Sequence, residues 1–216
     1  MTHRRSVASS CDDALVSDLE AWDRRTASQL ERAYLAAGTG PGGSGSSETS
    51  EGAWRAKRQH LCVPMDGDGT WLDVGCANGH LLATLPAWCA ERGITIEPHG
   101  LELLPTLAAL ARFLRPELAD RIWTGSVMTW TPPRRFTYVT ALDDQVPPGR
   151  LADLVARLRS DFVAPGGRVI VSSYTDSNGA SRPLFDDLSD AGYPPDGRIH
   201  IDRPRRHPLL SAWIDA

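Results

Sequence analysis

One stretch limits what this chain can fold into: Thr70, Trp71, Leu72, Asp73, Val74, Gly75, Cys76, Ala77, Asn78, Gly79, His80, Leu81, Leu82. A short apolar run leads into a glycine-bearing turn, and the turn opens a leucine-rich helical pattern. Strand, turn and helix in that order bring backbone N–H groups and a helix N-terminus to one point, where a cofactor can be held. Gly75 permits a sharp turn, and Gly79 permits close approach of backbone or ligand, because neither carries a Cβ. Asn78 belongs to the residue types that tolerate left-handed turns and cap helices. Asp73 ends the strand two residues before Gly75. The plain alternative is a strand–turn–helix that binds nothing.

Asp73-x-Gly75-x-Ala77-x-Gly79 resembles the first motif of the class I S-adenosylmethionine (SAM) dependent methyltransferases, D/E-x-G-x-G-x-G, with alanine in place of the middle glycine. The dinucleotide fingerprint G-x-G-x-x-G requires glycine at 77 and 80, where this chain has Ala77 and His80, and does not call for Asp73. The resemblance implies a Rossmann-like α/β fold. Its seven-stranded, mostly parallel sheet has the order 3-2-1-4-5-7-6 and is flanked by helices, here with an N-terminal helical extension.

A length of 216 residues suits one α/β domain with an appendage. A chain of this size buries roughly 70% of its unfolded surface and needs no disulfide or metal staple. The net charge of −4 argues against a general nucleic-acid binder. Cys11, Cys62, Cys76 and Cys89 form no C-x-x-C pair and no metal-ligand spacing, and read as reduced thiols of a cytoplasmic protein. No apolar run approaches the ~20 residues of a membrane span. Arg4 and Arg5 are followed by no apolar segment of a signal peptide.

We divide the chain into an extension, residues 1–52, and a core domain, residues 53–216. Residues 1–10 are polar and expected to be disordered. From 12 to 37, Leu15, Leu19, Trp22, Leu30, Ala33 and Tyr34 recur at helical steps and predict one or two amphipathic helices. These either cover the substrate side of the sheet, as the resemblance implies, or only pack on its surface. Residues 38–52 are rich in glycine and serine and read as a flexible linker. The resemblance, to a bacterial subgroup with a W-x-x-x-R-like helix here (Trp54 to Arg58), offers a second reading, a glycine-hinged lid. Arg58 then faces a cofactor carboxylate, or else lies on a solvated basic helix face.

Asp66 to Gly69 is a turn into the first strand. The helix after Gly79 carries Pro86, which predicts a kink or a second segment. The second strand lies within 94–101 and is followed by Glu102, whose carboxylate can accept both ribose hydroxyls of an adenosine cofactor or favour the dipole of the next helix. The spacing from Gly75 exceeds the ~20 residues expected, and the long first helix accounts for it. Residues 105–114 form that next helix, and 121–128 hold the third strand and its turn. The resemblance often has an acid or amide touching the adenine amino group where this chain has Ser126. Val127 and Met128 pack on the adenine ring or in the core. The fourth strand spans 136–142, an amphipathic helix spans 151–162, and Pro165-Gly166-Gly167 turns into a fifth strand. Residues 180–192 suggest a further helix. Residues 198–202 and 209–213 form a closing antiparallel pair around a solvated hairpin loop, Arg203 to Pro208.

The resemblance therefore places cofactor against Asp73, Gly75, Cys76, Ala77, Asn78 and Gly79, then Glu102 and Leu103, Ser126 and Val127, and Leu142. Asp143 and Asp144, after the fourth strand, are the candidate bases, although adjacent acids in a loop are commonly solvated turn residues. No D/N-P-P-Y/F motif follows that strand, which argues against amino-methyltransferases of DNA bases and glutamine. Cys76 has no evident base partner and is not assigned as a nucleophile. His80 is expected to pack on the first helix. The expected activity is methyl transfer from SAM to a small molecule by in-line displacement, with no metal. The alternatives are a SAM-binding regulator without turnover and an NAD-dependent oxidoreductase.

Overall fold

The computed structural model describes residues 5–45, 50–173, 184–203 and 206–216. Its strands are β1 (Gly69–Val74), β2 (Ile96–Glu102), β3 (Ile122–Thr124), β4 (Phe136–Leu142), β5 (Val163–Ser173), β6 (Gly197–Arg203) and β7 (Arg206–Asp215). They form one sheet in the order β3-β2-β1-β4-β5-β7-β6. The first five pair in parallel, and β7 runs antiparallel to both β5 and β6. This is the order that the resemblance implies. The strand order reverses between β1 and β4, and in such sheets the crevice at that reversal is where ligands bind.

Alternation along the strands builds two cores. Leu72, Val74, Val139, Val169 and Val171 point to one face, where α5 (Leu151–Arg157) and α6 (Leu184–Asp190) bury Leu154, Val155, Leu184 and Leu188. Trp71, Tyr138 and Ile170, one position out of step, point to the other face. There they meet α2 (Glu51–Arg58) through Trp54, and α3 (His80–Ala90) through Leu82, Leu85 and Trp88. Each fully buried side chain of this kind contributes about 1.5–3 kcal/mol. Between β2 and β3 runs α4 (Pro105–Leu114), which starts on Pro105, a residue suited to a first helical turn.

Several expectations are corrected. The N-terminal helix α1 is single, Arg5–Ala36, and takes in residues expected to be disordered; residues 5–11 hold no glycine or proline to stop its extension. Residues 1–4 lie outside the described residues. The segment after α1 is folded: Pro41–Ser44 forms a 3-10 turn, and Ser50 caps α2 with its hydroxyl accepting from Ala53 N–H at 3.2 Å. Residues 46–49 lie outside the described residues. Pro86 does not divide α3, because Leu81, Leu82, Leu85, Trp88 and Cys89 are all buried along it and outweigh one lost hydrogen bond.

The helix expected over 151–162 becomes a five-residue π-helix at Leu158–Phe162, with both end residues buried. Pro165, Gly166 and Gly167 sit inside β5, not before it. Gly166 N–H donates to Ala216 O and Ala216 N–H to Gly167 O, so pairing continues through a bulge. A Cβ at Gly167 would lie 2.4 Å from Thr137 O. The closing hairpin is tighter than expected, since Arg203, Arg206, His207 and Pro208 belong to strands. Positions 204–205 lie outside the described residues, as do 174–183, which include the start of the helix expected from 180.

Candidate functional site

The turn after β1 takes its shape from three left-handed residues: Gly75 (φ 78°), Ala77 (φ 49°) and Gly79 (φ 73°). Glycine adopts this conformation freely and alanine does not. The turn's first amides are already engaged. Gly75 and Cys76 N–H donate to Leu101 O at 2.7 and 3.2 Å, and Ala77 N–H donates to Glu102 Oε2 at 2.8 Å. The other oxygen of Glu102, Oε1, accepts from Leu104 N–H at 2.9 Å. Glu102 thus joins the β1 turn to the start of α4. Burial pushes its pKa up, and the amides of Leu104, Ala77 and Leu103 pull against that.

Two adjoining cavities open at the carboxyl ends of the strands, of ≈ 140 and ≈ 300 Å³. Together they reach the range of small-molecule sites, about 300–1,000 Å³. The first is lined by Gly75, Ala77, Glu102, Leu103, Ser126, Val127, Leu142 and Asp144, and roofed by Trp22, Asp23, Thr26, Leu30 and Tyr34 of α1. The second is lined by Asp73, Cys76, Thr140, Ser172, Trp54, Lys57 and Arg58, and shares Tyr34, Gly75, Ala77, Leu142 and Asp144 with the first.

Two buried polar chains reach the second cavity. Trp71 Nε1–H donates to Thr140 Oγ1 at 2.9 Å, and Thr140 Oγ1–H donates to Asp73 Oδ1 at 2.9 Å. Burial pushes Asp73 up to about 7 against the Thr140 hydrogen bond and the charge of Arg58, with Glu102 adding to the rise. On the β5 side, His60 Nε2 lies 2.9 Å from Ser211 Oγ, which lies 2.6 Å from Ser172 Oγ. Burial and then Arg58 hold His60 down at about 4, so the ring is neutral near pH 7.

The structure brings most of the expected residues together on these walls. Asn78 and Gly79 are not among the lining residues. Asn78 is fully buried behind the turn, where Nδ2 donates to Gly38 O (3.3 Å) and Gly40 O (3.0 Å), and Oδ1 accepts from Ser44 Oγ (2.6 Å) and His80 N–H (3.1 Å). Asp143 also lines neither cavity, whereas Asp144 lines both. Cys76 is buried, and its thiol is pushed up by burial and by Glu102 and Asp73, the opposite of an activated nucleophile. His80 packs edge-on to Trp54 at 5.3 Å and meets Glu51 through Nε2. Arg58 is buried with its guanidinium 5.0 Å from the Trp54 ring, which removes the solvated-face reading. Met128 packs against the β-sheet core.

The sequence reading missed Asp23, Thr140, Gln145, Ser172 and His60. Trp22 and Tyr34 carried a signal in their helical spacing, and of the two expectations for their helix, covering the sheet or only packing on it, the first is the one their place on the cavity wall agrees with. Among the described residues, no three His, Cys, Asp or Glu side chains gather as metal ligands, and no helix is long and apolar enough to cross a membrane.

No family model matches the chain, and no curated protein matches it in sequence. Its fold matches solved structures. The DhpI–SAH complex superposes with a TM-score of 0.56 at 18% identity, covering 93% of this chain and 96% of that one. Magnesium protoporphyrin IX methyltransferase (ChlM) from Synechocystis PCC 6803, with bound SAM, gives 0.58 at 12% identity, covering 92% and 96%. SAM-bound CalS10, an amino pentose methyltransferase from Micromonospora echinaspora, gives 0.51 at 19% identity, covering 76% and 90%. At these identities the likeness is one of fold: the chain has the class I methyltransferase architecture.

Proposed function

We propose that this chain is a SAM-dependent methyltransferase acting on a small molecule. The observation that carries this reading is Glu102: a buried carboxylate at the end of β2, on the wall of the first cavity, held in place by the amides of the β1 turn and α4. Each of its oxygens accepts one backbone N–H and keeps a lone pair for a ribose hydroxyl. The residues fit such a cofactor. Trp22 Nε1 and Gln145 Oε1, both on residues lining the first cavity, are buried and have no hydrogen-bond partner among the described residues. They are a donor and an acceptor for a polar ligand. The solved relatives in fold named above carry SAM or SAH, which supports the same cofactor here.

The dinucleotide alternative is disfavoured by the turn itself. A pyrophosphate needs free N–H groups at the glycine turn, and those of Gly75, Cys76 and Ala77 are already taken by Leu101 and Glu102.

When bound, SAM supplies a methyl group on a sulfonium centre for in-line displacement by an N, O, S or C nucleophile. The protein's part is to bind, orient and exclude water. Glu102 and Leu103 hold the nucleoside end, Asp73 and the β1 turn hold the amino-acid end, and Tyr34 and Trp54 close the second cavity over the acceptor. Asp144, on both cavities, is the candidate to orient the acceptor or take its proton. The test is turnover with SAM against a panel of small alcohols, carboxylic acids, amines and thiols, read by mass spectrometry. A methylated product with matching S-adenosylhomocysteine supports the reading. Cofactor binding with no transfer to any acceptor favours a regulator without turnover.

A further inference from the structure

The roof that α1 lays over the first cavity carries polar groups that packing does not require. Asp23 is half-buried there, on the cavity wall that it shares with Ser126, whose hydroxyl side chain tempers the rise that burial gives the Asp23 carboxyl and accepts from Met128 N–H at 3.3 Å. Next to it on α1, Trp22 presents a buried indole N–H with no hydrogen-bond partner among the described residues. A half-buried carboxylate and an unpartnered donor are both costly on a wall that only packs.

Their position relative to Glu102 suggests what they serve. Glu102 pairs with Thr124 of β3, and Gly125 N–H donates to Glu102 O at 3.0 Å, so Gly125 and Ser126 lie one strand outward from the ribose position. A base attached to that ribose would reach the wall of the first cavity that Ser126 and Asp23 share. Adenine carries a donor and an acceptor on adjacent atoms of one edge, its exocyclic amino group and a ring nitrogen. The roof offers the complement, a carboxylate and an indole N–H.

We propose that Asp23 of α1, positioned by Ser126, selects adenine by accepting a hydrogen bond from its exocyclic amino group. This rests on SAM being the cofactor. The carboxylate comes from the N-terminal helix and not from the turn after β3, where Ser126 stands and serves to aim it. The extension is thereby part of the cofactor site.

The test is isothermal titration with S-adenosylhomocysteine and with S-inosylhomocysteine, in which a carbonyl replaces the amino group and faces the carboxylate unfavourably. The wild type is expected to prefer the adenosine ligand by about tenfold or more, the scale of a hydrogen bond to a charged group. Asp23→Ala is expected to weaken that ligand by about tenfold and to leave the inosine ligand bound as well as before or better. Asp23→Asn, whose amide can donate to a carbonyl, is expected to erase the preference. Ser126→Ala, which keeps the carboxylate but not its aim, is expected to fall between. Folding is checked by thermal denaturation. Folded Asp23 variants that keep the wild-type preference overturn the proposal. A folded wild type that binds neither ligand overturns the cofactor assignment, and this inference with it.

Discussion

Ser44 donates its hydroxyl to the side-chain oxygen of Asn78 at 2.6 Å, across 34 positions of sequence. With the two bonds from Asn78 Nδ2 to Gly38 O and Gly40 O, this contact straps residues 38–45 onto the back of the β1 turn. Gly43 is close-packed there: an added Cβ would lie 2.0 Å from Gly38 O and 2.6 Å from Asn78 Nδ2. Asn78→Ala is expected to destabilise the protein by about 1–3 kcal/mol, since buried partners lose their bonds. Urea unfolding reads the cost. Hydrogen exchange is expected to rise first in residues 38–45, and uniform exchange across the chain would contradict the strap.

Ala77 holds φ at 49°, which costs an L-residue roughly 1–2 kcal/mol and glycine nothing. Ala77→Gly regains that strain and gives back roughly 0.5–1 kcal/mol in chain entropy. We expect a net gain on the order of 0.5 kcal/mol, seen as a higher urea midpoint at an unchanged m-value. A loss of stability would contradict the strain.

Asp73 and His60 predict opposing pH dependences. Asp73 is raised in the fold from 3.8 to about 7, so the folded state keeps its proton after the unfolded chain has lost one. Its contribution to stability is fully present below pH ~4 and is lost as pH rises through 7. Asp73→Asn is expected to exceed the wild type in stability at pH 8, by on the order of 1–4 kcal/mol, with the difference vanishing toward pH 4.

His60 is lowered from 6.5 to about 4, so the unfolded chain gains a proton first as pH falls. Its contribution is present above pH ~6.5 and is lost as pH drops through 4. His60→Gln is therefore expected to gain on the wild type as pH falls from 6.5 to 4. Urea midpoints measured along the pH axis check both variants, and parallel profiles for wild type and variants would contradict them.

Much of the sheet was legible because its signals are local. The strand from Phe136 to Leu142 and the helix from Pro105 each read correctly from a few neighbouring residues. Glu102 was found because strand, acid and helix follow one another there, although its spacing from Gly75 is longer than expected. What was missed depends on distance in sequence. Asp23 comes to share a cavity wall with Ser126, and His60 meets Ser211, only after the sheet has formed. Cys62 and Cys89, 27 positions apart with no motif spacing, face each other Sγ to Sγ at 3.1 Å as free thiols. Composition also misled: the glycines and Ser44 of 38–45 suggest flexibility, but Asn78 gives the Gly38 and Gly40 carbonyls and the Ser44 hydroxyl a fixed partner.

Isothermal titration of the purified wild type with S-adenosylhomocysteine, beside NADH, tests the cofactor assignment most directly, with Glu102→Ala as the site control. The account predicts saturable binding of S-adenosylhomocysteine alone, weakened at least about tenfold in a Glu102→Ala variant that still unfolds cooperatively. Binding of NADH, or no binding of S-adenosylhomocysteine by a folded wild type, would contradict it.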